Sequence, residues 1–206
     1  MSLDIELMPG RMFYISPYIY IYCQDLMSGA LSFTVINVNN LSSPEVLGSF
    51  SWADFGSETY PYQTLQIQNP FLYEFVNYGD YILALDRTGR ILLFRKFSNG
   101  TLALEKIVFV NTTAFNMAYS EDYLFIACGH DGIKIYNLSN LSLEYILTYN
   151  KTIKDARGIA YGDSSLFIAD DINGIHVLNI SKIQDVHELY SLSLCGYLFN
   201  STILIM

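Results

Sequence analysis

The stretch AFNMAYSEDYLFIACGHDGIKIYNLSNL, residues 114–141, recurs 42 residues later as ARGIAYGDSSLFIADDINGIHVLNISKI, residues 156–183. Eleven of the 28 aligned pairs are identical, whereas ordinary composition would give about two by chance. The stretch is therefore an internal repeat. A repeat of this length constrains the architecture of a chain much more than its activity.

Each repeat contains four short apolar segments separated by polar turns. In the second copy these segments are GIAYG, SLFIA and IHVLNI, followed by HELYSL at residues 187–192, just past the quoted stretch. Their lengths and alternating pattern predict four β-strands joined by short connections, which is an antiparallel meander. Gly132 and Gly174 fall at the turn into the third strand, where glycine adopts a positive φ without steric cost.

The same pattern extends toward the N-terminus of the 206-residue chain. Tyr78 begins a matching segment at a spacing of 43, and Met12 begins a more distant one. We therefore predict a single domain over residues 1–206, with repeat units at about 12–50, 71–111, 112–151 and 154–192 and a partial unit at 193–206. Between Phe50 and Phe71 the first unit is followed by an aromatic and acidic insertion, typical of a functional or disordered loop.

A four-stranded meander of this size cannot bury both of its faces alone. Such units stack against one another, and their usual arrangement is radial, with each twisted sheet forming a blade. We predict an all-β fold, a β-propeller of about 4.5 repeats of roughly 42 residues. N-terminal residues could complete a fifth blade, or the ring could be incomplete, part of a larger ring, or shared by two chains.

The units resemble LVIVD repeats, a propeller repeat with an apolar strand ending in Ala-Asp, a glycine turn and a second apolar strand. The matching stretches are LFIADDINGIHVLNISKI from Leu166, LFIACGHDGIKIYNLSNL from Leu124 and INVNNLSSPEVLGSF from Ile36. The resemblance implies a propeller fold. It also implies a bacterial or archaeal surface or secreted protein, and it brings no common activity.

Composition excludes several classes of function. The net charge of −9 repels phosphate backbones, so we expect no nucleic-acid partner. No apolar run has the length of a membrane-spanning helix. The three cysteines, Cys23, Cys128 and Cys195, are odd in number and far apart, which predicts buried free thiols rather than a disulfide framework or a metal site. We expect no cofactor.

Polar residues follow the second strand of several units and would meet at one end of a propeller. They are Asp86, Arg87, His130, Asp131, Asp170 and Asp171. Carboxylates and an imidazole brought together in this way could bind a small ligand or act as acid and base. The alternative is that the aspartates cap turns through backbone hydrogen bonds and face solvent. His176 and His187 lie in the polar phase of their strands, which predicts surface positions.

Two further features suggest contacts outside the chain. Trp52 and Tyr60 lie in the insertion and either bind a partner or pack the loop onto the body. Eight Asn-x-Ser/Thr sequons are candidate glycosylation sites, although several coincide with the turn motif of the repeat. These sequons are at Asn40, Asn99, Asn111, Asn137, Asn140, Asn150, Asn179 and Asn200. Sequons and resemblance together predict an extracellular location, whereas the lack of a signal peptide predicts a cytoplasmic one.

Three hypotheses about function follow. The leading one is a non-enzymatic scaffold for a protein or glycan partner, with self-association through the C-terminal strand edge as one form of contact. The second is a small-ligand-binding or enzymatic propeller that uses the acidic turns. The third is a fragment of a larger surface propeller protein.

Overall fold

The computed structural model of the chain describes residues 8–24, 31–51 and 72–193. In these ranges the chain forms sixteen β-strands and short 3₁₀ turns. The first sheet contains β1 (Met8–Ile15), β2 (Tyr18–Gln24), β3 (Leu31–Asn37) and β4 (Glu45–Ser51). The second contains β5 (Leu72–Tyr78), β6 (Tyr81–Asp86), β7 (Arg90–Lys96) and β8 (Leu102–Phe109). The third contains β9 (Asn116–Tyr119), β10 (Tyr123–Ala127), β11 (Ile133–Asn137) and β12 (Glu144–Tyr149). The fourth contains β13 (Ala156–Gly162), β14 (Ser165–Asp170), β15 (Gly174–Asn179) and β16 (His187–Leu192).

Each sheet is made of four consecutive strands in sequence order. In the fourth sheet, one row of facing residues runs from Ile159 through Ile168 and His176 to Ser191. Such meanders arise because short polar turns join strands of four to eight residues, and short turns require antiparallel neighbours. The predicted all-β, propeller-type fold built from four-stranded antiparallel blades is confirmed.

The same irregularity recurs between the third and fourth strands of three sheets. The pairing register shifts after Val35, after Ile135 and after Val177. In each case the fourth strand has one extra residue, which is the feature of a β-bulge. A bulge twists the outer strand and makes its exposed edge a poorer template for pairing with another chain.

The described residues form two compact units, one from those within 1–84 and 92–107 and the other from those within 85–91 and 108–206. The first unit has an aromatic core in which Phe33 stands edge-on to Phe94, with ring centroids 5.3 Å apart. Phe13 stacks on Phe75 at 4.5 Å between ring centroids. These rings, with buried aliphatic side chains such as Ile82 and Leu92, provide the apolar burial that stabilises the unit.

The second unit has a mainly aliphatic core. Its members come from both of its complete sheets and from the links that follow them, and Phe125 stacks against the partly buried Tyr161. The fully buried members are Phe125, Ala127, Ile133, Ile135, Ala156, Leu166, Ile168 and Leu178. Because both sheets supply core side chains, neither sheet buries its apolar face alone, as the repeat pattern predicts.

The turn glycines of the repeat are required for two reasons. Gly132 has φ +78°, a conformation that side chains with a Cβ rarely adopt. A Cβ at this position would also lie 2.8 Å from Asn150 Cβ and would strike the carbonyl oxygen of Tyr149. Gly89, at the same turn of the second sheet, has φ +82° and faces the carbonyl of Thr112 in the same way. The fold therefore needs glycine at this turn.

Candidate functional site

The carboxylate of Asp170, the last residue of β14, accepts four backbone hydrogen bonds. It is fully buried. Its Oδ1 accepts hydrogen bonds from the backbone N–H groups of Ile172 and Asn173 at 2.9 and 3.0 Å, which closes the turn into β15. Its Oδ2 accepts the N–H of Lys154 at 2.6 Å, and its Oδ1 also accepts the N–H of Asp155 at 3.2 Å. One carboxylate thus ties the turn to the link that precedes β13.

These four donors change the titration of Asp170. Burial by itself would raise the pKa of a carboxyl group, because it disfavours the charged form. The backbone N–H donors outweigh burial, so the pKa of Asp170 lies below its usual range. The group is therefore a carboxylate that the fold holds in its charged form.

His176 lies between two carboxylates. Its Nε2 is 3.4 Å from Asp170 Oδ2, and its Nδ1 is 3.0 Å from Glu188 Oε2 on β16. The pKa of Glu188 is lowered, because hydrogen bonds from Thr152, His176 and Ser191 outweigh its desolvation. The imidazole therefore bonds to the outer strand β16 through Nδ1, while its Nε2 lies close to the carboxylate at the end of β14.

The expected surface position of His176 is wrong, since only 3% of the residue is exposed. The buried residues of β15 are Gly174, His176 and Leu178, while Ile175 and Val177 are only partly buried. Buried and partly buried residues do alternate along β15, as the pattern predicts. His176 nevertheless lies on the more buried side, where the carboxylates of Asp170 and Glu188 from the same sheet face it. His187 is exposed and lies beside Asp185.

We expect acid to destabilise this network. The folded-state pKa values of Asp170 and Glu188 lie below their unfolded values, which are about 3.9 and 4.3. Their contribution to stability is full above the unfolded pKa values and is lost as the pH falls through the folded ones. The free energy of unfolding in urea, measured from about pH 6 to about pH 3, should fall less steeply in Glu188→Gln than in the wild type. Equal slopes for the two proteins would contradict this, and Glu144→Gln, at an exposed site on β12, is the matched control.

The other aspartate of the predicted set that is fully buried is Asp86, at the end of β6. Its Oδ1 accepts the N–H of Thr88 at 2.9 Å, and its Oδ2 forms a buried ion pair with Arg90. Asp86 thus caps its turn, as Asp170 does. The expectation that the turn-capping aspartates face solvent is wrong for Asp86 and Asp170, because both are fully buried.

Another charged pair, Arg157 with Asp155, lies at the start of β13, beside the Asp170 carboxylate. Arg157 donates to Asp155 Oδ2 at 2.7 Å, and its guanidinium lies 4.0 Å from the ring centroid of Phe115. The exposed His130 bonds through Nδ1 to the carbonyl of Lys154 at 2.8 Å. His130 and Asp170 therefore contact the same link, residues 154–155. Sequence reasoning missed Asp155, Arg157 and Glu188, because no repeated motif marks them.

The remaining predicted residues are less involved. Arg87 and Asp131 are exposed, and Asp171 is half-buried, with its N–H bonded to the carbonyl of Asp155 at 2.9 Å. Trp52 and Tyr60 lie outside the described residues.

Within the described ranges no group of three or more His, Cys, Asp or Glu side chains is placed to hold a metal ion. In the same ranges no helix has the length and apolar character of a membrane span.

Cys23 and Cys128 are free thiols, and both are buried. Burial raises the pKa of Cys23 and raises that of Cys128 to about 12. Each Sγ faces the carbonyl oxygen two residues earlier, that of Ile21 or Ile126. A thiol with a raised pKa is a poor nucleophile at neutral pH, so these two cysteines are packing residues. Cys195 lies outside the described residues.

The structure gives a conformational role to several sequon asparagines. Asn137 and Asn179 are the last residues of β11 and β15, and each Oδ1 accepts the N–H of the residue two positions later at 2.8 Å. Asn37, which ends β3, does the same at 3.0 Å. The repeated asparagine therefore closes the turn after the third strand. The sequon asparagines that are exposed are Asn40, Asn99, Asn111, Asn140 and Asn150, and Asn200 lies outside the described residues.

The first unit carries an open apolar groove that sequence reasoning did not predict. It has a volume of about 620 Å³ and lies between the β1–β2 hairpin and the loop after β3. The lining residues are Met12, Phe13, Tyr14, Ser16, Pro17, Ile19, Val38, Asn39 and Leu41. Leu41, Met12 and Tyr14 are 83%, 71% and 63% exposed, and no other large apolar side chain whose exposure the structure describes exceeds 58%. None of the lining residues is charged.

Comparison with known proteins adds to the fold and not to the chemistry. No family model matches the chain, and no curated protein matches it. Among the solved structures similar to it is the crystal structure of the computationally designed Ika8 protein, with a TM-score of 0.63 and 10% sequence identity. The alignment covers 95% of this chain and 53% of the designed one, so the chain spans about half the length of that protein. At this identity the likeness supports the propeller-type fold alone.

Proposed function

We propose that this chain is a non-enzymatic interaction module that binds an apolar segment of a partner protein in the groove of its first sheet. The observation that carries the proposal is the position of Leu41, Met12 and Tyr14. Among the large apolar side chains whose exposure the structure describes, the three most exposed all line one groove. Scattered exposed apolar residues are normal on a protein surface, whereas a contiguous group of them marks an interaction site.

The openness of the groove favours a protein over a small molecule. Pockets for small ligands bury most of the ligand surface. Here the three principal side chains keep about two thirds or more of their own surface exposed, so they form a shallow contact area. Such an area suits a flat or convex protein surface, where apolar and aromatic anchors supply most of the binding energy.

The acidic turns support a structural role rather than catalysis. The buried carboxylates of Asp86 and Asp170 accept the hydrogen bonds that hold their turns, and Asp86 is also paired with Arg90. A carboxylate whose oxygens are bonded to the protein in this way holds its turn together. The small-ligand or enzymatic alternative therefore has less support than the interaction module.

Charge and the repeat add detail to the proposal. Because the chain carries a net charge of −9, a partner with basic residues around its apolar segment would associate fastest.

A relationship to LVIVD-repeat propellers and a cell-surface location are part of the same proposal. The asparagine that closes the turn after the third strand, at Asn37, Asn137 and Asn179, supports the resemblance.

A peptide-library selection tests the groove. Peptides displayed on phage would be selected on the immobilised chain, and the Kd of a selected peptide would be measured by fluorescence anisotropy. We expect apolar peptides with basic flanks, and we expect Met12→Ser with Leu41→Ser to weaken their binding at least about tenfold, since two apolar contacts are lost.

The matched control is Leu189→Ser with Tyr190→Ser on β16. These residues are also exposed, at 56% and 58%, but lie in the second unit. The control should bind the peptide as tightly as the wild type. If the groove variant kept full affinity, or if the control lost as much, the groove would not be the binding site.

A further inference from the structure

We propose that Asn99 and Asn111 are acceptor sites for N-linked glycans. This inference does not depend on the groove, except that the proposed function is the reason for setting Asn40 aside. An acceptor asparagine must present its side-chain amide to a transferase together with the hydroxyl of the residue two positions later. In five of the seven described sequons the asparagine is exposed. The surroundings of the hydroxyl then distinguish among these five.

Asn99 lies at the tip of the β7–β8 hairpin. The turn is closed by the N–H of Phe97, which donates to the carbonyl of Thr101, and by the N–H of Gly100, which donates to the carbonyl of Phe97. Asn99 Oδ1 accepts the N–H and the hydroxyl of Thr101 at 3.1 and 2.7 Å. The turn thus presents the amide and the hydroxyl of one sequon together, on an exposed asparagine.

Asn111 lies in the link between β8 and β9. Its φ is +60°, a left-handed conformation that asparagine tolerates better than most residues. Both Asn111 and Thr113 are exposed. A transferase can therefore approach both groups of this sequon on the folded chain.

The other described sequons differ in ways that disfavour transfer. Asn137 and Asn179 are half-buried at strand ends. The hydroxyl of Ser142, in the Asn140 sequon, lies 3.4 Å from the carbonyl of Asn137, and that of Thr152, in the Asn150 sequon, faces Glu188 and Tyr149. In the Asn40 sequon the middle residue is Leu41, which lines the groove, so a glycan there would compete with the proposed partner.

The modification needs a lipid-linked oligosaccharide phosphate or diphosphate as co-substrate and an oligosaccharyltransferase as catalyst. A bond forms between asparagine Nδ2 and the anomeric carbon of the sugar. The bond from that carbon to the phosphate oxygen breaks, and the lipid phosphate leaves with the electron pair. One Nδ2 proton passes to a base of the transferase.

The test is glycopeptide mapping by mass spectrometry. The folded full-length chain would be incubated with a purified oligosaccharyltransferase and its lipid-linked oligosaccharide, and the chain purified from its own cells would be mapped in parallel. We expect glycans on Asn99 and Asn111 in both samples, with Asn137 and Asn179 bare. Bare Asn99 and Asn111 in either sample, or equal occupancy of Asn137 and Asn179, would overturn the proposal.

A pair of variants isolates the sequon from the fold. Thr113→Ala removes the hydroxyl of the Asn111 sequon at an exposed position, whereas Thr113→Ser keeps a hydroxyl there. The glycan on Asn111 should be lost in the first variant and retained in the second, while that on Asn99 persists in both. Retention of the Asn111 glycan in Thr113→Ala would show that the sequon does not direct the transfer.

Discussion

Replacing Gly132 by alanine should lower the free energy of unfolding by about 3–5 kcal/mol, in the range of the most damaging single substitutions. The backbone at Gly132 has φ +78°, which costs a residue with a Cβ about 1–2 kcal/mol. The new Cβ would also lie 2.8 and 2.9 Å from Asn150 Cβ and Cα and would strike the carbonyl of Tyr149. Because these atoms belong to the backbone and its first side-chain carbon, they cannot rotate away. Urea unfolding followed by circular dichroism measures the loss.

The matched control for Gly132 is Gly79, in the turn between β5 and β6. It also has a positive φ, +54°, but a Cβ there would meet nothing within 4 Å. Gly79→Ala should therefore cost only the backbone strain, about 1–2 kcal/mol. Equal losses in the two variants would mean that the close approach of the fourth strand at Gly132 contributes nothing, contrary to the structure.

Replacing Asp170 by alanine is expected to have the second large effect, a loss of about 3–5 kcal/mol. The substitution removes the acceptor of four backbone N–H groups, from Lys154, Asp155, Ile172 and Asn173. It also leaves His176 with one carboxylate neighbour instead of two. Each buried donor left without a partner costs about 1–3 kcal/mol, and partial rearrangement and water entry reduce the sum.

The control for Asp170 is Asp131→Ala, at the corresponding turn of the third sheet. Asp131 is exposed, so its loss should change stability by no more than about 0.5 kcal/mol. Both variants would be compared by urea unfolding at neutral pH. If Asp170→Ala were as mild as Asp131→Ala, the carboxylate would not hold the turn to the link before β13.

The repeat carried most of the information about the fold. Strand number, strand order and the need for glycine at Gly132 follow from spacing and alternation, because these patterns reflect the geometry of a meander. The sequence also indicated that Asp86 and Asp170 could cap turns. It did not show that each would be fully buried, since burial depends on which segments pack over the turn.

The groove and the surroundings of His176 could not be predicted, for a physical reason. Alternation assigns residues to two faces of a strand but does not say which face is covered, and in stacked sheets both can be. His176 therefore looked like a surface residue, although it lies between Asp170 and Glu188. The groove is built from Met12 and Tyr14 on β1 and from Leu41 in a loop, three residues that share no motif.

Each described repeat forms a four-stranded sheet, and its polar turn network serves the fold. The most direct test is the set of interstrand nuclear Overhauser effects along the row Ile159, Ile168, His176 and Ser191. The structure predicts contacts between successive members of this row, in the order β13, β14, β15 and β16, with His176 also close to Glu188. Contacts between Ile159 and Ser191 without those to Ile168 and His176, or a solvent-exposed His176 ring, would contradict this strand order and the burial of His176.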